Sequence, residues 1–106
     1  MDFSFTEEQT LLRNTVQSLL SDKYDFDTRR KVAKSADGWR PEIWAQFAEL
    51  GLLAAPFSEE MGGLGGGAIE TMIVMEEFGR HLVIEPYVET VVIAGGFLRE
   101  GGSAAQ

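Results

Sequence analysis

Between Pro56 and Gly67 the chain reads Pro56-Phe57-Ser58-Glu59-Glu60-Met61-Gly62-Gly63-Leu64-Gly65-Gly66-Gly67, and five of its last six residues are glycine. Such a run suits neither a helix interior nor a strand. It belongs where the backbone needs unusual φ values or close approach. Two uses compete: a phosphate-cradling loop, or a tight connector that lets two helices pack closely. Gly63-Leu64-Gly65-Gly66-Gly67-Ala68 fits G-x-G-x-x-A, but that fingerprint needs a buried strand immediately before it. Ser58-Glu59-Glu60-Met61 is no strand. Glu59 and Glu60 would also repel a pyrophosphate, and the stretch holds no Lys or Arg. The residues favour the connector.

Helical patterns lie on both sides of it. Thr6-Glu7-Glu8-Gln9 is a capping box, followed by Leu12, Val16, Leu19 and Leu20 at helical spacing. Asp2-Phe3-Ser4-Phe5 reads as a lead-in whose phenylalanines fold against the body. Asp25-Phe26-Asp27-Thr28 offers caps for a short second helix that Gly38 stops. Its Arg29, Arg30, Lys31 and Lys34 are either a CoA or phosphate patch or the solvated face of that helix. Pro41 suits the first position of a third helix and Gly51 the C′ position, with Ile43, Trp44, Phe47 and Leu50 as its stripe. Leu52 to Ala55 then read as extended.

Ala68 to Arg80 predicts a fourth helix. Ile69, Met72, Ile73, Met75 and Phe78 form its apolar stripe, with Glu70 and Glu77 on the other side. Glu76 with Arg80 and Glu77 with His81 are i,i+4 pairs, which makes the only histidine a helix-end partner. A fifth helix should begin at Pro86 and run toward Leu98. Its β-branched residues leave a strand as the alternative, but Tyr87, Val91, Ala94 and Leu98 recur at helical spacing. Glu89 is its only charge, so it needs cover on nearly all sides, more than four small helices supply. Ser103-Ala104-Ala105-Gln106 repeats the capping-box form, and the sequence stops on its N3 residue. The predicted fold class is all-α: an antiparallel bundle of about five helices with a Gly-rich connector, the start of a sixth cut off.

With 106 residues there is room for one domain with a modest core. The absence of cysteine excludes disulfides and thiolate sites, and the carboxylates have no second histidine to complete a metal site. A net charge of −8 argues against nucleic acid and anionic membrane surfaces as partners. No apolar run approaches the ~20 residues of a membrane span, and no signal or transit peptide is visible, so a cytoplasmic setting is expected.

Four segments together resemble a known family: Asp2 to Gln9, Trp44 with Glu49-Leu50-Gly51-Leu52-Leu53, Pro56 to Gly65, and Glu76-Glu77-Phe78-Gly79-Arg80. In order and spacing they are similar to the N-terminal region of the acyl-CoA dehydrogenases. The most specific piece is the proline, acidic pair and Gly-Gly-Leu-Gly. Here Phe57-Ser58 intervene after the proline, and Met61 stands where the family has an aromatic. The likeness covers nearly all of 1–106, and is weakest over 22–38 and 97–106. It is somewhat closer to the branch that includes pimeloyl-CoA dehydrogenase small subunits.

The resemblance implies an N-terminal helical domain of an oxidoreductase whose β domain and C-terminal helical domain are absent here. In that family FAD lies between the two later domains. A carboxylate base removes the α-proton of an acyl-CoA, the flavin takes the β-hydride, and electrons pass to an electron-transfer flavoprotein. Subunits are dimers or tetramers. The resemblance assigns this chain no catalytic residue, no flavin contact and no metal. It implies a wall of the acyl pocket on the fifth helix, where Tyr87, Thr90, Val91 and Ala94 either face the substrate tail or pack against the absent domains. The alternative is a stand-alone helical interaction module derived from such a domain.

Overall fold

A computed structural model describes residues 1–106, and they form helices without a strand. In chain order these are α1 (Glu7–Lys23), α2 (Phe26–Ala33), α3 (Pro41–Glu49), a 3₁₀ turn (Glu59–Met61), α4 (Ala68–His81), a π-helical segment (Val88–Ala94) and α5 (Gly95–Gly101). They divide into two units, residues 1–40 with 72–84 and residues 41–71 with 85–106. No helix is long and apolar enough to cross a membrane.

In the first unit the local start signals act as their chemistry requires. The Thr6 hydroxyl accepts from the Gln9 N–H at 3.1 Å, and Gln9 Oε1 accepts from the Thr6 N–H at 2.9 Å. Asp25 accepts from the Thr28 N–H and hydroxyl at 3.1 and 2.6 Å, which holds its carboxyl below the usual range. Val16 and Leu20 of α1, Tyr24, and Ile73, Val74 and Phe78 of α4 form the buried core. The Tyr24 hydroxyl accepts from the Ile84 N–H at 2.9 Å, and the Arg40 guanidinium lies 4.8 Å from its ring centre. Phe5 lies under the Arg13 guanidinium, 4.5 Å away, but Phe3 is 85% exposed, so only one phenylalanine of the lead-in folds back.

Three expectations about α4 fail. Glu77 is not on the outer side: it is 1% exposed, between Ile73, Val74 and Phe78 on the buried face. The helical stripe is 73, 74, 77 and 78, while Ile69 and Met72 are half exposed. Glu77 can be buried because Arg13 of α1 and Arg80 bring charge to its Oε1, at 3.9 and 3.8 Å. Arg13 and Arg80 also reach Glu76, at 3.0 and 3.2 Å. His81 therefore does not pair with the Glu77 carboxylate. Its Nδ1 lies 3.1 Å from the Glu77 carbonyl oxygen instead.

In the second unit Pro41 opens α3, and Ile43 and Phe47 are buried with Trp44 edge-on to Phe47. The helix ends in a Schellman motif: the Leu52 N–H donates to the Phe47 carbonyl and the Gly51 N–H to that of Ala48. Gly51 has φ +79, and the C″ residue Leu52 is buried with Phe47, as the motif favours. Leu50 faces outward instead of completing the stripe. Residues 52–57 are not extended. Hydrogen bonds from Ala54 to Gly51 and from Phe57 to Ala54 wind them into successive turns, which buries Ala55 and Pro56.

The last helical stretch is a helix, not a strand. Its π-helical part runs directly into α5. Tyr87, Val91 and Gly95 face inward, whereas Ala94 and Leu98, the next two positions of an α-helical stripe, are exposed. A π turn holds more residues than an α turn, so the inward face advances by one position. The ring of Phe57 lies against Gly95, where a Cβ would meet it at 3.0 Å.

Candidate functional site

A cleft of about 380 Å³ opens within the second unit. One wall is Pro56 with the Gly66-Gly67-Ala68 backbone and Thr71 at the head of α4; the other is Val91 and Val92 of the π-helical segment with Arg99 of α5. The Gly-rich connector shapes the first wall. The 3₁₀ turn ends on Gly62 at φ +86, and the connector then packs backbone on backbone. A Cβ on Gly63 would sit 2.2 Å from the Phe57 carbonyl oxygen and 2.6 Å from that of Ala54. This is the tight connector, and a turn of helix rather than a strand precedes it.

The connector's N–H groups are already used. Gly62, Gly63, Leu64, Gly65 and Gly66 donate to carbonyls of Glu59, Ser58, Ala54, Phe57 and Ala55. The Gly67 N–H, at the head of α4, donates to Glu70 Oε2 at 2.8 Å. None of the N–H groups from Gly62 to Gly67 is left to cradle a pyrophosphate, and Glu59 and Glu60 stand exposed beside the loop. These residues do not fit a flavin dinucleotide. The loop positions a cleft wall.

The four residues predicted to face a substrate tail sit on one helical run but in different surroundings. Val91 is buried and lines the cleft. Tyr87 is buried deeper: its hydroxyl donates to the Leu52 carbonyl at 2.8 Å, and burial pushes that hydroxyl up to about 12. Thr90 and Ala94 are exposed. Val92 and Arg99 line the cleft and were not singled out by spacing. The signal for Arg99 was its charge alone in an otherwise apolar or acidic stretch. Beyond the cleft, Val88, Ile93, Phe97 and Leu98 leave further apolar surface uncovered, with Phe97 77% exposed.

The basic cluster of α2 makes a separate, open hollow of about 310 Å³ lined by Asp27, Arg30, Lys31 and Lys34. Arg30, Lys31 and Lys34 are exposed, and the Arg30 guanidinium lies 5.9 Å from the centre of the Phe26 ring. No group of acidic or histidine side chains could hold a metal ion.

Comparison with known proteins agrees with the helical fold. The family model described as acyl-CoA dehydrogenase, N-terminal domain, matches residues 6–106. The chain is 31% identical to acyl-CoA dehydrogenase FadE27 of Mycobacterium tuberculosis, a match covering 97% of this chain and 28% of that protein. It is 33% identical to acyl-CoA dehydrogenase IpdE2 of Mycolicibacterium smegmatis, over 91% of this chain and 31% of the relative. A chain in the crystal structure of the ChsE4-ChsE5 complex from Mycobacterium tuberculosis superposes with a TM-score of 0.86 at 30% identity, covering 99% of this chain and 29% of that one. The chain thus spans less than a third of the length of each of these relatives.

Proposed function

Because the chain belongs to the acyl-CoA dehydrogenase family, we propose that it is the N-terminal helical domain of an FAD-dependent enzyme that desaturates acyl-CoA thioesters between the α and β carbons. In this reading it supplies structure and part of the acyl pocket. The base and the flavin contacts belong to a β domain and a C-terminal helical domain, in the same polypeptide or in a partner subunit. Electrons leave through an electron-transfer flavoprotein, and the assembled enzyme is an oligomer.

The observation that carries the proposal is the uncovered apolar face along residues 88–98. Ile93, 53% exposed, and Phe97 are separated from solvent by nothing in this chain. A contiguous face of this kind marks a protein contact or a ligand groove. The work left to this domain is binding and exclusion of water. Val91 and Val92 offer an apolar wall to a fatty tail, with Thr90 and Ala94 at its margin. Tyr87 secures that wall by its bond to Leu52. No carboxylate of the cleft is placed to remove a proton: Glu70, the nearest on α4, is held by the Gly67 N–H.

The reading is tested by sequencing the gene beyond codon 106 and by light scattering on the purified chain. A following or neighbouring segment encoding the β domain is expected, together with self-association of the chain alone through residues 88–98. An immediate stop codon with no such partner, and a strictly monomeric mass at high concentration, would favour the stand-alone interaction module instead. The isolated chain should be colourless and leave acyl-CoA unchanged; a stoichiometric flavin band would refute the division of labour.

A further inference from the structure

Of the nine cations in the chain, eight belong to residues 1–40 and 72–84. Five of those eight are engaged. Arg13 and Arg80 meet Glu76 and Glu77, and Lys23 meets Asp22 at 3.4 Å. Arg29 Nε donates to the Leu82 carbonyl at 3.0 Å, and Arg40 Nη2 to that of Lys23 at 2.9 Å. The three left, Arg30, Lys31 and Lys34, form no ion pair, are exposed, and line the one hollow on α2. Asp27, the only carboxylate of that lining, pairs with none of them. Arg30 and Lys34 stand one turn apart, a like-charge pair that works against the helix. The helix dipole favours cations in this turn, but it does not explain why the unengaged ones gather around a single hollow. Lys31 and Lys34 are also two of only three lysines in the chain, and the third, Lys23, has its own carboxylate beside it.

Three free cations and two amines in one place suit a ligand that is both a polyanion and an electrophile. We infer that Lys31 and Lys34 form a modification site, at which an acyl-CoA thioester from solution transfers its acyl group to a lysine amine. The phosphates of CoA are drawn to Arg30 and to whichever lysine is not reacting, which holds the thioester beside the other amine. The unprotonated Nζ attacks the thioester carbonyl carbon. A C–N bond forms, the C–S bond breaks, and the proton lost from nitrogen ends on the departing CoA thiol. Nothing is oxidised or reduced, and no further reactant is needed. Each transfer removes one charge from the hollow, so the reaction weakens the attraction for the next donor. The site uses no residue of the cleft and stands whether or not the acyl-pocket reading does.

The test is peptide mass spectrometry of the 106-residue chain after incubation at mildly alkaline pH with one of two donors. These are acetyl-CoA and S-acetyl-N-acetylcysteamine, an acetyl thioester without phosphates. The preference for Lys31 and Lys34 over Lys23 should be about fivefold greater with acetyl-CoA, the factor supplied by one contact between unit charges about 4 Å apart in water. High salt should remove most of that difference. Arg30→Gln, at an exposed position, should lower the rate at Lys34 with acetyl-CoA and leave the rate with the phosphate-free donor unchanged. The same preference with both donors would overturn the inference and reduce the site to two accessible side chains. So would a preference that Arg30→Gln does not alter, or a failure of acetyl-CoA to modify either lysine.

Discussion

Replacing Gly63 by alanine puts a methyl group where two carbonyls already stand. The added Cβ would lie 2.2 Å from the Phe57 oxygen, so that carbonyl must retreat by about 1.2 Å to reach an ordinary 3.4 Å contact. It accepts the Gly65 N–H at 2.8 Å, while the Ala54 oxygen, 2.6 Å from the new methyl, accepts the Leu64 N–H at 3.3 Å. Both bonds fail after such a shift. At about 1 kcal/mol each, and more where a partner is left unpaired, the cost is ~2–4 kcal/mol. A chain of this size has only ~5–15 kcal/mol in total. Two neighbouring variants separate this steric effect from backbone strain. Gly62, at φ +86 with open space around it, should cost only ~1–2 kcal/mol as alanine. Gly79, in α4 with nothing nearby, should gain ~0.5–1 kcal/mol. Urea unfolding followed by circular dichroism reads all three, and Gly63→Ala should lower the midpoint by roughly 1–2 M. A Gly63→Ala variant as stable as Gly62→Ala would refute the close-approach account of the connector.

The anchor of the cleft helix and the buried ion pairs give two further tests. Tyr87→Phe leaves the Leu52 carbonyl without its donor and should cost ~1–2 kcal/mol at neutral pH. Because the folded state raises this hydroxyl from 10.0 to about 12, it keeps its proton longer than the unfolded chain does. The wild type should therefore lose up to about 3 kcal/mol as pH rises from 10 toward 12, and Tyr87→Phe should lack that component of the alkaline loss. Equal alkaline profiles in denaturant titrations would show that burial does not restrain the ionisation. Arg13→Ala leaves the buried Glu77 with Arg80 alone and should cost ~2–3 kcal/mol, while the double variant Arg13→Met with Glu77→Leu should recover most of it. Thermal melts of the three chains decide this, and an unchanged midpoint in Arg13→Ala would count against any role for the pair.

What could be read along the chain was whatever neighbouring residues decide among themselves. Thr6 with Gln9, Asp25 with Thr28, Pro41 and Gly51 mark helix ends through hydrogen bonds and φ preferences that span a few residues. The helical character of residues 86–98 and its excess of apolar surface were legible for the same reason. Glu77 was misplaced because its burial depends on Arg13, which arrives from another helix. The turns over 52–57 escaped notice because the hydrogen bonds that close them are not encoded in any apolar period. The inward face of the last helix was assigned to Ala94 and Leu98, since an α-helical count cannot foresee a π turn packed beside the ring of Phe57. Arg99 was visible only as one charge among nine cations. Sequence alone determined the helices and their ends, because local sterics and hydrogen bonding suffice for those. Only the tertiary structure decided which charges are buried and which line a cleft, because that depends on segments far apart in the chain meeting in space.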